Sequence, residues 1–249
     1  MKTYSYLLDV IEKKGAAYLI LIDPDKISGD KLRSFVSVCA KAGVDGFLIG
    51  GSLLMDGNLE AAIDTIKESS KLPAIIFPGA VHQIYRNADA LLYISLISGR
   101  NAEHIIGKHI IAAPIIKRMK LEPISTGYML IESGIKTTAE YISGSLPIPR
   151  HKPEIAVATA LAGQYLGMKF IYLEGGSGAQ FSVPKEMVSA VSKAVDIPVI
   201  VGGGIRTPQE AHEKVENGAK VVVTGNFFED EKNWSLIKEF ADAIHKKGT

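Results

Sequence analysis

Eight short apolar runs recur along the chain, and each ends in a polar or glycine-rich turn. They are YLILIDP (Tyr18–Pro24), GFLIGGS (Gly46–Ser52), AIIFPG (Ala74–Gly79), ALLYISL (Ala90–Leu96), YMLIES (Tyr128–Ser133), FIYLEGG (Phe170–Gly176), PVIVGGG (Pro198–Gly204) and VVVTGN (Val221–Asn226). The runs are continuously apolar rather than alternating, which is the pattern of parallel strands buried on both faces. Helix-like segments lie between most of them: DKLRSFVSVCAKAG, NLEAAIDTIKESS, EIAVATALAGQYLG, PKEMVSAVSKAV and TPQEAHEKVENG. Several of these end in glycine, a C-terminal signal, and some begin with Pro or Asp, which suit a first turn. Eight βα units in succession predict an α/β fold of the (β/α)8 TIM-barrel type, with residues 1–249 as one domain. A doubly wound open sheet is the structural alternative, although eight parallel strands exceed what such sheets usually carry.

The spacing of the units is uneven. The interval from Leu96 to Tyr128 holds a helix and then IIAAPIIKRMKLEPIS. After the fifth run, GIKTTAEYISGSLPIPRHKPE has three prolines and little periodicity, so it reads as a long functional loop or a distorted helix.

Several function classes are excluded early. The net charge is +1 and the charges are mixed, so no basic face for nucleic acid is expected. The N-terminal MKTYSYLLDVIEKKG carries charges throughout and lacks a signal-peptide core. No apolar run approaches the roughly 18 residues that span a bilayer. A cytoplasmic protein is expected. The lone cysteine, Cys39, reads as a buried thiol. The six histidines, His82, His104, His109, His151, His212 and His245, show no zinc-site spacing. His212 reads as a solvated helix residue and Trp234 as a packing residue of the last helix. His151, with Arg150 and Lys152, forms a basic loop run that could meet a diphosphate or simply be solvated.

Glycine is concentrated where barrels bind phosphate. Phosphate sites commonly use the loops after strands seven and eight. Here Gly202, Gly203 and Gly204 close the seventh run, Gly225-Asn226 closes the eighth, and GGSG begins at the end of the sixth. Glycine lets backbone N–H groups approach a phosphate closely, and a following helix N-terminus adds partial positive charge. One such loop would read as a tight turn; three together predict a phosphate site.

The other strand ends carry the discriminating residues. Asp23 lies at the end of the first run and Ser52 at the end of the second. A carboxylate beside a hydroxyl, with phosphate oxygens and water, suits Mg²⁺; alternatively Asp23 caps its own turn. Asp25 and Lys26 read as rim residues. Glu174 ends the sixth run and would accept a hydrogen bond or a proton from a substrate hydroxyl, or else pair with Lys26 or Arg206. Phe77, Pro78, Tyr85, Tyr93 and Ile97 read singly as core and as a set suggest a greasy groove.

Taken together, LIDPDK, GGS, YLEGGSGA, VGGGIRTPQEA and VVVTGN resemble the geranylgeranylglyceryl phosphate synthase family, in order and at compatible spacing from Ile20 to Asn226. SGRN (Ser98–Asn101) followed by IIGKH (Ile105–His109) resembles the second of the family's two groups. The resemblance implies Mg²⁺-dependent transfer of a geranylgeranyl group from its diphosphate to the C3 hydroxyl of sn-glycerol-1-phosphate. Carried over residue by residue, it implies Asp23 and Ser52 as the Mg²⁺ ligands. It implies a glycerol-phosphate site of Tyr172, Leu173, Glu174, Gly175, Gly176, Ser177 and Gly178, with Gly203, Gly204, Gly225 and Asn226. Glu174 and Tyr172 are then the catalytic pair: the carboxylate orients or deprotonates the attacking hydroxyl, and the carboxylate and ring face stabilise an allylic cation. The implied partners are sn-glycerol-1-phosphate, a long-chain prenyl diphosphate, a transiently contacted membrane surface and further copies of the chain in a dimer or hexamer. One departure stands out. Some members place a phosphate-contacting lysine where this chain has Leu21, so Arg206 or backbone amides must compensate. Two rivals stay open. A sugar-phosphate isomerase or aldolase would use Asp23 as base and Glu132 as acid without metal. A non-catalytic barrel would bind a phosphorylated metabolite without turnover.

Overall fold

A computed structural model describes residues 2–245. Eight parallel strands, β1 (Ala17–Ile22), β2 (Gly46–Ile49), β3 (Ala74–Ile76), β4 (Ala90–Leu96), β5 (Glu122–Leu130), β6 (Phe170–Glu174), β7 (Val199–Gly202) and β8 (Val221–Thr224), close into a barrel in chain order. Closure is made by β1 pairing with both β2 and β8, with Leu19 opposite Gly46 and Ala17 opposite Val221. The expected TIM barrel is the fold. The helices are α1 (Thr3–Lys14), α2 (Gly29–Ala42), α3 (Leu59–Ser69), α4 (Lys108–Met119), α5 (Thr138–Ser143), α6 (Pro153–Tyr165), α7 (Lys185–Ala194), α8 (Pro208–Glu216) and α9 (Ile237–Ile244).

The side-chain period of two divides the core into an inner and an outer shell. Inside the barrel lie Leu19, Leu48, Leu92, Ile124, Phe170, Tyr172, Ile200 and Val223. Between strands and helices lie Tyr18, Ile20, Phe47, Ile171, Leu173, Val201 and Val222. Along β6 this alternation sends Phe170, Tyr172 and then Glu174 inward, and Ile171 and Leu173 outward. Cys39 is buried and free in the outer shell, where burial pushes its thiol up. Trp234 packs at 5.0 Å on Phe35 and donates to the Phe228 carbonyl, as a packing residue should. His212 lies half-exposed on α8 with Nδ1 at the Ala243 carbonyl.

α1 seals the N-terminal end of the barrel. Leu7 and Val10 join the inner core, and Tyr4 meets Phe170 edge-on at 5.3 Å. Glu122 caps this plug by accepting the Thr3 amide at 2.6 Å. That role explains why β5 begins six residues before its apolar run. Of its first five residues, Glu122, Pro123, Ser125 and Thr126 are polar or proline and only Ile124 is apolar, which hides the strand in the sequence.

The ring of helices has one gap. Thirteen residues join β3 to β4, and they form turns rather than a helix. The segment after β5 is neither one loop nor one distorted helix. It holds the short α5, and Ile148 returns to bridge Ile131 beside β5. Among the described residues no helix is long and apolar enough to cross a membrane.

Candidate active site

The loops leaving the C-terminal ends of β6, β7, β8, β1 and β2 surround a cavity of about 480 Å³. Its wall contains Asp23, Ser52, Tyr172, Glu174, Gly176, Ser177, Gly178, Gly203, Gly204, Gly225 and Asn226. Sequence reasoning had set these residues together, and the fold brings them to one space. Leu173 and Gly175 do not line it. Leu173 faces the helices because it is out of phase with Tyr172 and Glu174 on β6, and Gly175 spends its amide on the Gly202 carbonyl at 2.9 Å.

One side of the cavity presents backbone donors. The amides of Gly203, Gly204 and Gly225 donate to no acceptor among the described residues. Gly203 sits at φ +83°, and a Cβ there would lie 2.5 Å from both the Glu174 carboxylate and the Gly176 amide. Only glycine fits, by conformation and by space. A cross-link holds the cradle in shape: Ser177 Oγ donates to Asn226 Oδ1 at 2.8 Å, and Asn226 Nδ2 donates to Glu229 at 2.7 Å. Leu21 stands under Gly225 and supplies no charge. Arg206 lines the cavity, but its guanidinium is tied to the carbonyls of Ala179 and Gln180. Free backbone amides are therefore the donors on this side.

The floor is aromatic and holds one acid. Phe77 stacks on Tyr172 at 5.6 Å, and Tyr128 stands edge-on to both, at 5.8 and 5.3 Å. Glu174 lies beside them, 5% exposed, and pairs with neither Lys26 nor Arg206. It accepts the Gly176 amide at 2.6 Å. Burial lifts its pKa to about 7, against the lowering pull of that amide and of the two phenols. Burial and the adjacent carboxylate push Tyr128 and Tyr172 up. The Tyr172 hydroxyl is buried beside Glu174 without a well-formed hydrogen bond. Tyr128 was not singled out from the sequence. Its signal was register: it stands opposite Tyr172 across β5 and β6.

Asp23 is half-buried at the end of β1, and burial raises its pKa. One oxygen accepts the Asp25 amide at 3.0 Å. The other faces the Gly51 position next to Ser52, 3.5 Å from where a Cβ would stand. Asp23 therefore caps its turn and still presents an oxygen to the cavity. Asp25 is committed elsewhere: it accepts the amides of Met55, Asp56 and Gly57 and pins the β2–α3 loop to the rim. No cluster of three acidic, histidine or cysteine ligands occurs among the described residues. A cation here would take few protein ligands and complete its shell from substrate and water, as Mg²⁺ commonly does.

A second cavity, about 160 Å³, opens where the helix between β3 and β4 is missing. It shares Gly51, Ser52, Phe77, Tyr128 and Ala139 with the first. From that junction it runs between β3–β4 and α4. His104, Lys108, Ala112 and Ile116 line it at every fourth residue, a length of roughly 18 Å. Of the expected groove residues, Phe77, Pro78 and Tyr93 line this trench. Tyr85 and Ile97 do not: the Tyr85 hydroxyl is bound to Asp64 at 2.8 Å, and Ile97 packs into the core near Gly127 and Gly163. The basic run is also placed elsewhere. Arg150 lies over Phe181 and donates to the carbonyls of Glu132 and Ser182, Lys152 pairs with Glu154, and neither they nor His151 line either cavity. Glu132 is likewise outside both, so the acid required by the isomerase reading does not meet Asp23.

A model of the PcrB family matches residues 8–244. A geranylgeranylglyceryl phosphate synthase of Chitinophaga pinensis is 44% identical over 98% of this chain and 96% of its own length. One from Thermococcus gammatolerans is 45% identical over 87% of this chain and 86% of its own. The crystal structure of (S)-3-O-geranylgeranylglyceryl phosphate synthase from Thermoplasma acidophilum, in complex with its substrate sn-glycerol-1-phosphate, superposes with a TM-score of 0.92 at 32% identity, covering 98% of this chain and 99% of that one. Tryptophan synthase of M. tuberculosis, at 15% identity and a TM-score of 0.61, shares the fold alone. The chain belongs to the PcrB family, as the match over residues 8–244 and the likeness to geranylgeranylglyceryl phosphate synthases over nearly the whole length show.

Proposed function

We propose that this chain is a prenyltransferase that joins geranylgeranyl diphosphate to the C3 hydroxyl of sn-glycerol-1-phosphate with release of diphosphate. The carrying observation is the junction of two unlike cavities, an amide-lined polar mouth and an apolar trench, at Ser52, Phe77 and Tyr128. A phosphorylated acceptor suits the first and an isoprenoid the second. The substrates' reacting ends then meet over the aromatic floor, beside Glu174.

The residues divide the chemistry. The free amides of Gly203, Gly204 and Gly225 hold the acceptor phosphate. Glu174, with its pKa near neutrality, takes the proton of the attacking hydroxyl. The Tyr172 hydroxyl, beside Glu174, orients that same hydroxyl. The faces of Phe77, Tyr128 and Tyr172 stabilise positive charge on the allylic carbon as the diphosphate departs. Asp23 and Ser52 hold Mg²⁺. When bound, the cation neutralises the leaving group. No covalent nucleophile is needed.

Apolar surface on α6 and its approach supports self-association: Leu146, Tyr165 and Leu166 are 83, 79 and 75% exposed. A dimer or larger ring is the reading. Light scattering after size exclusion tests it, and a monomer at micromolar concentration contradicts it.

Transfer itself is tested with labelled glycerol-1-phosphate, Mg²⁺ and prenyl diphosphates of graded length, followed by organic extraction. A labelled ether lipid that disappears with EDTA and in Asp23→Asn is the expected result. An organic phase without label for every donor overturns the reading.

A further inference from the structure

The charges around the two cavities are unequally committed. Three long cationic side chains line them: Lys26 and Arg206 in the mouth and Lys108 in the trench. Arg206 is bound to two carbonyls. Lys26 lies in the field of Asp23 and Glu229. Lys108 alone is half-buried against an apolar lining and has no ion pair among the described residues.

An unpaired ammonium in the wall of a hydrocarbon trench costs desolvation and wins nothing back in the free protein. Its neighbours sharpen the point. His104 stands one turn before it on the same wall, where burial and Lys108 lower its pKa and leave it a neutral donor. His109, 7% exposed, follows it. The His109 Nε2 meets Ser95 Oγ at 3.2 Å, while its Nδ1 is buried without a hydrogen-bond partner. A π-turn, Glu103–Gly107, precedes α4 and sets this group at the trench. Lys108 opens α4, the helix end from which helical side chains lean back toward the N-terminal side, and Ser52 lines the same cavity.

A donor diphosphate at that mouth is strongly anionic. One divalent cation on a single carboxylate and a hydroxyl leaves much of that charge uncompensated. We infer that Lys108, flanked by His104, is the cationic wall of the donor's diphosphate subsite at the trench mouth that Ser52 shares. The inference rests on the prenyl-transfer reading and adds to it a residue that neither the acceptor cradle nor the Asp23–Ser52 pair supplies.

The test is calorimetric titration of Mg²⁺-pyrophosphate, and separately of glycerol-1-phosphate, into the wild type, Lys108→Met and Lys108→Arg. Methionine keeps most of the apolar stem and removes the charge. Lys108→Met should weaken pyrophosphate about tenfold or more, Lys108→Arg should retain most of the affinity, and glycerol-1-phosphate binding should be unchanged in all three. Unaltered pyrophosphate binding in Lys108→Met overturns the inference, as does a parallel loss of both ligands, which would show general damage. If the wild type transfers prenyl groups while Lys108→Met binds pyrophosphate normally, only this inference falls. If the wild type neither binds pyrophosphate nor transfers, the prenyl-transfer reading falls with it.

Discussion

Glu174 accepts the amide of Gly176, two residues further along the same loop, at 2.6 Å, yet its pKa is raised to about 7 because burial outweighs that hydrogen bond. The contact holds the carboxyl at the cavity wall, and the burial brings its ionisation into the neutral range.

The rate should follow that ionisation. kcat/KM should rise as pH passes through about 7 and level off above it, because the ionised form is the base. Glu174→Gln should lower kcat by about 10²–10⁴ with a smaller effect on acceptor KM. A pH profile without an acidic limb near neutrality contradicts the role.

Stability should move the opposite way. The native carboxyl binds its proton more tightly than the unfolded one, whose ordinary value is 4.5. Its contribution is full below about 4.5 and is lost as pH rises through about 7. Glu174→Gln should therefore be more stable than the wild type at pH 8, by up to about 3 kcal/mol. Urea denaturation at pH 5 and pH 8 checks it: the difference should shrink at the lower pH.

Gly203→Ala should damage the cradle from both sides. The added methyl meets the Glu174 carboxylate and the Gly176 amide, and φ +83° is strained for alanine. Acceptor KM should rise at least about tenfold, with a stability loss of about 1–2 kcal/mol. Steady-state kinetics against glycerol-1-phosphate and a melting curve measure the two effects.

Ala112 lies in the α4 wall, two turns below His104 and one turn above Ile116. Ala112→Trp should fill the lower trench. The preferred donor should shift to shorter prenyl diphosphates, with glycerol-1-phosphate binding unchanged. Product analysis across a donor ladder decides it, and unchanged selectivity would show that the isoprenoid lies elsewhere.

At the opposite end of the barrel, Asp45 ties α1 and β1 to His245. It accepts Lys14 Nζ at 2.5 Å, the Tyr18 amide at 2.8 Å and His245 Nε2 at 2.8 Å. Burial alone would raise its pKa, but the hydrogen bonds from His245, Lys14 and Tyr18 outweigh it and hold the carboxyl below its usual value. Its stabilisation is present above the ordinary carboxylate range and is lost as pH falls through the lowered value. Asp45→Asn should cost about 3 kcal/mol at pH 7 and leave acceptor KM unchanged, as denaturant titration and kinetics would show.

The sequence by itself determined the barrel and most of the polar mouth. Eight buried parallel strands must be written as apolar runs, and amides that cradle an anion must be written as glycines at strand ends. Both are local requirements, so both are visible in order along the chain. The polar start of β5 was hidden because Glu122 serves α1, more than a hundred residues away in sequence. Tertiary structure alone decided the rest. Strand register placed Tyr128 beside Tyr172 and turned Leu173 away from the cavity. Chain folding carried Arg150 and Lys152 to other partners, and the missing helix after β3 opened a trench that no single segment encodes. The pKa of Glu174 belongs to the same class. A carboxylate's identity is written in the sequence, but its ionisation is set by the water that the surrounding rings exclude.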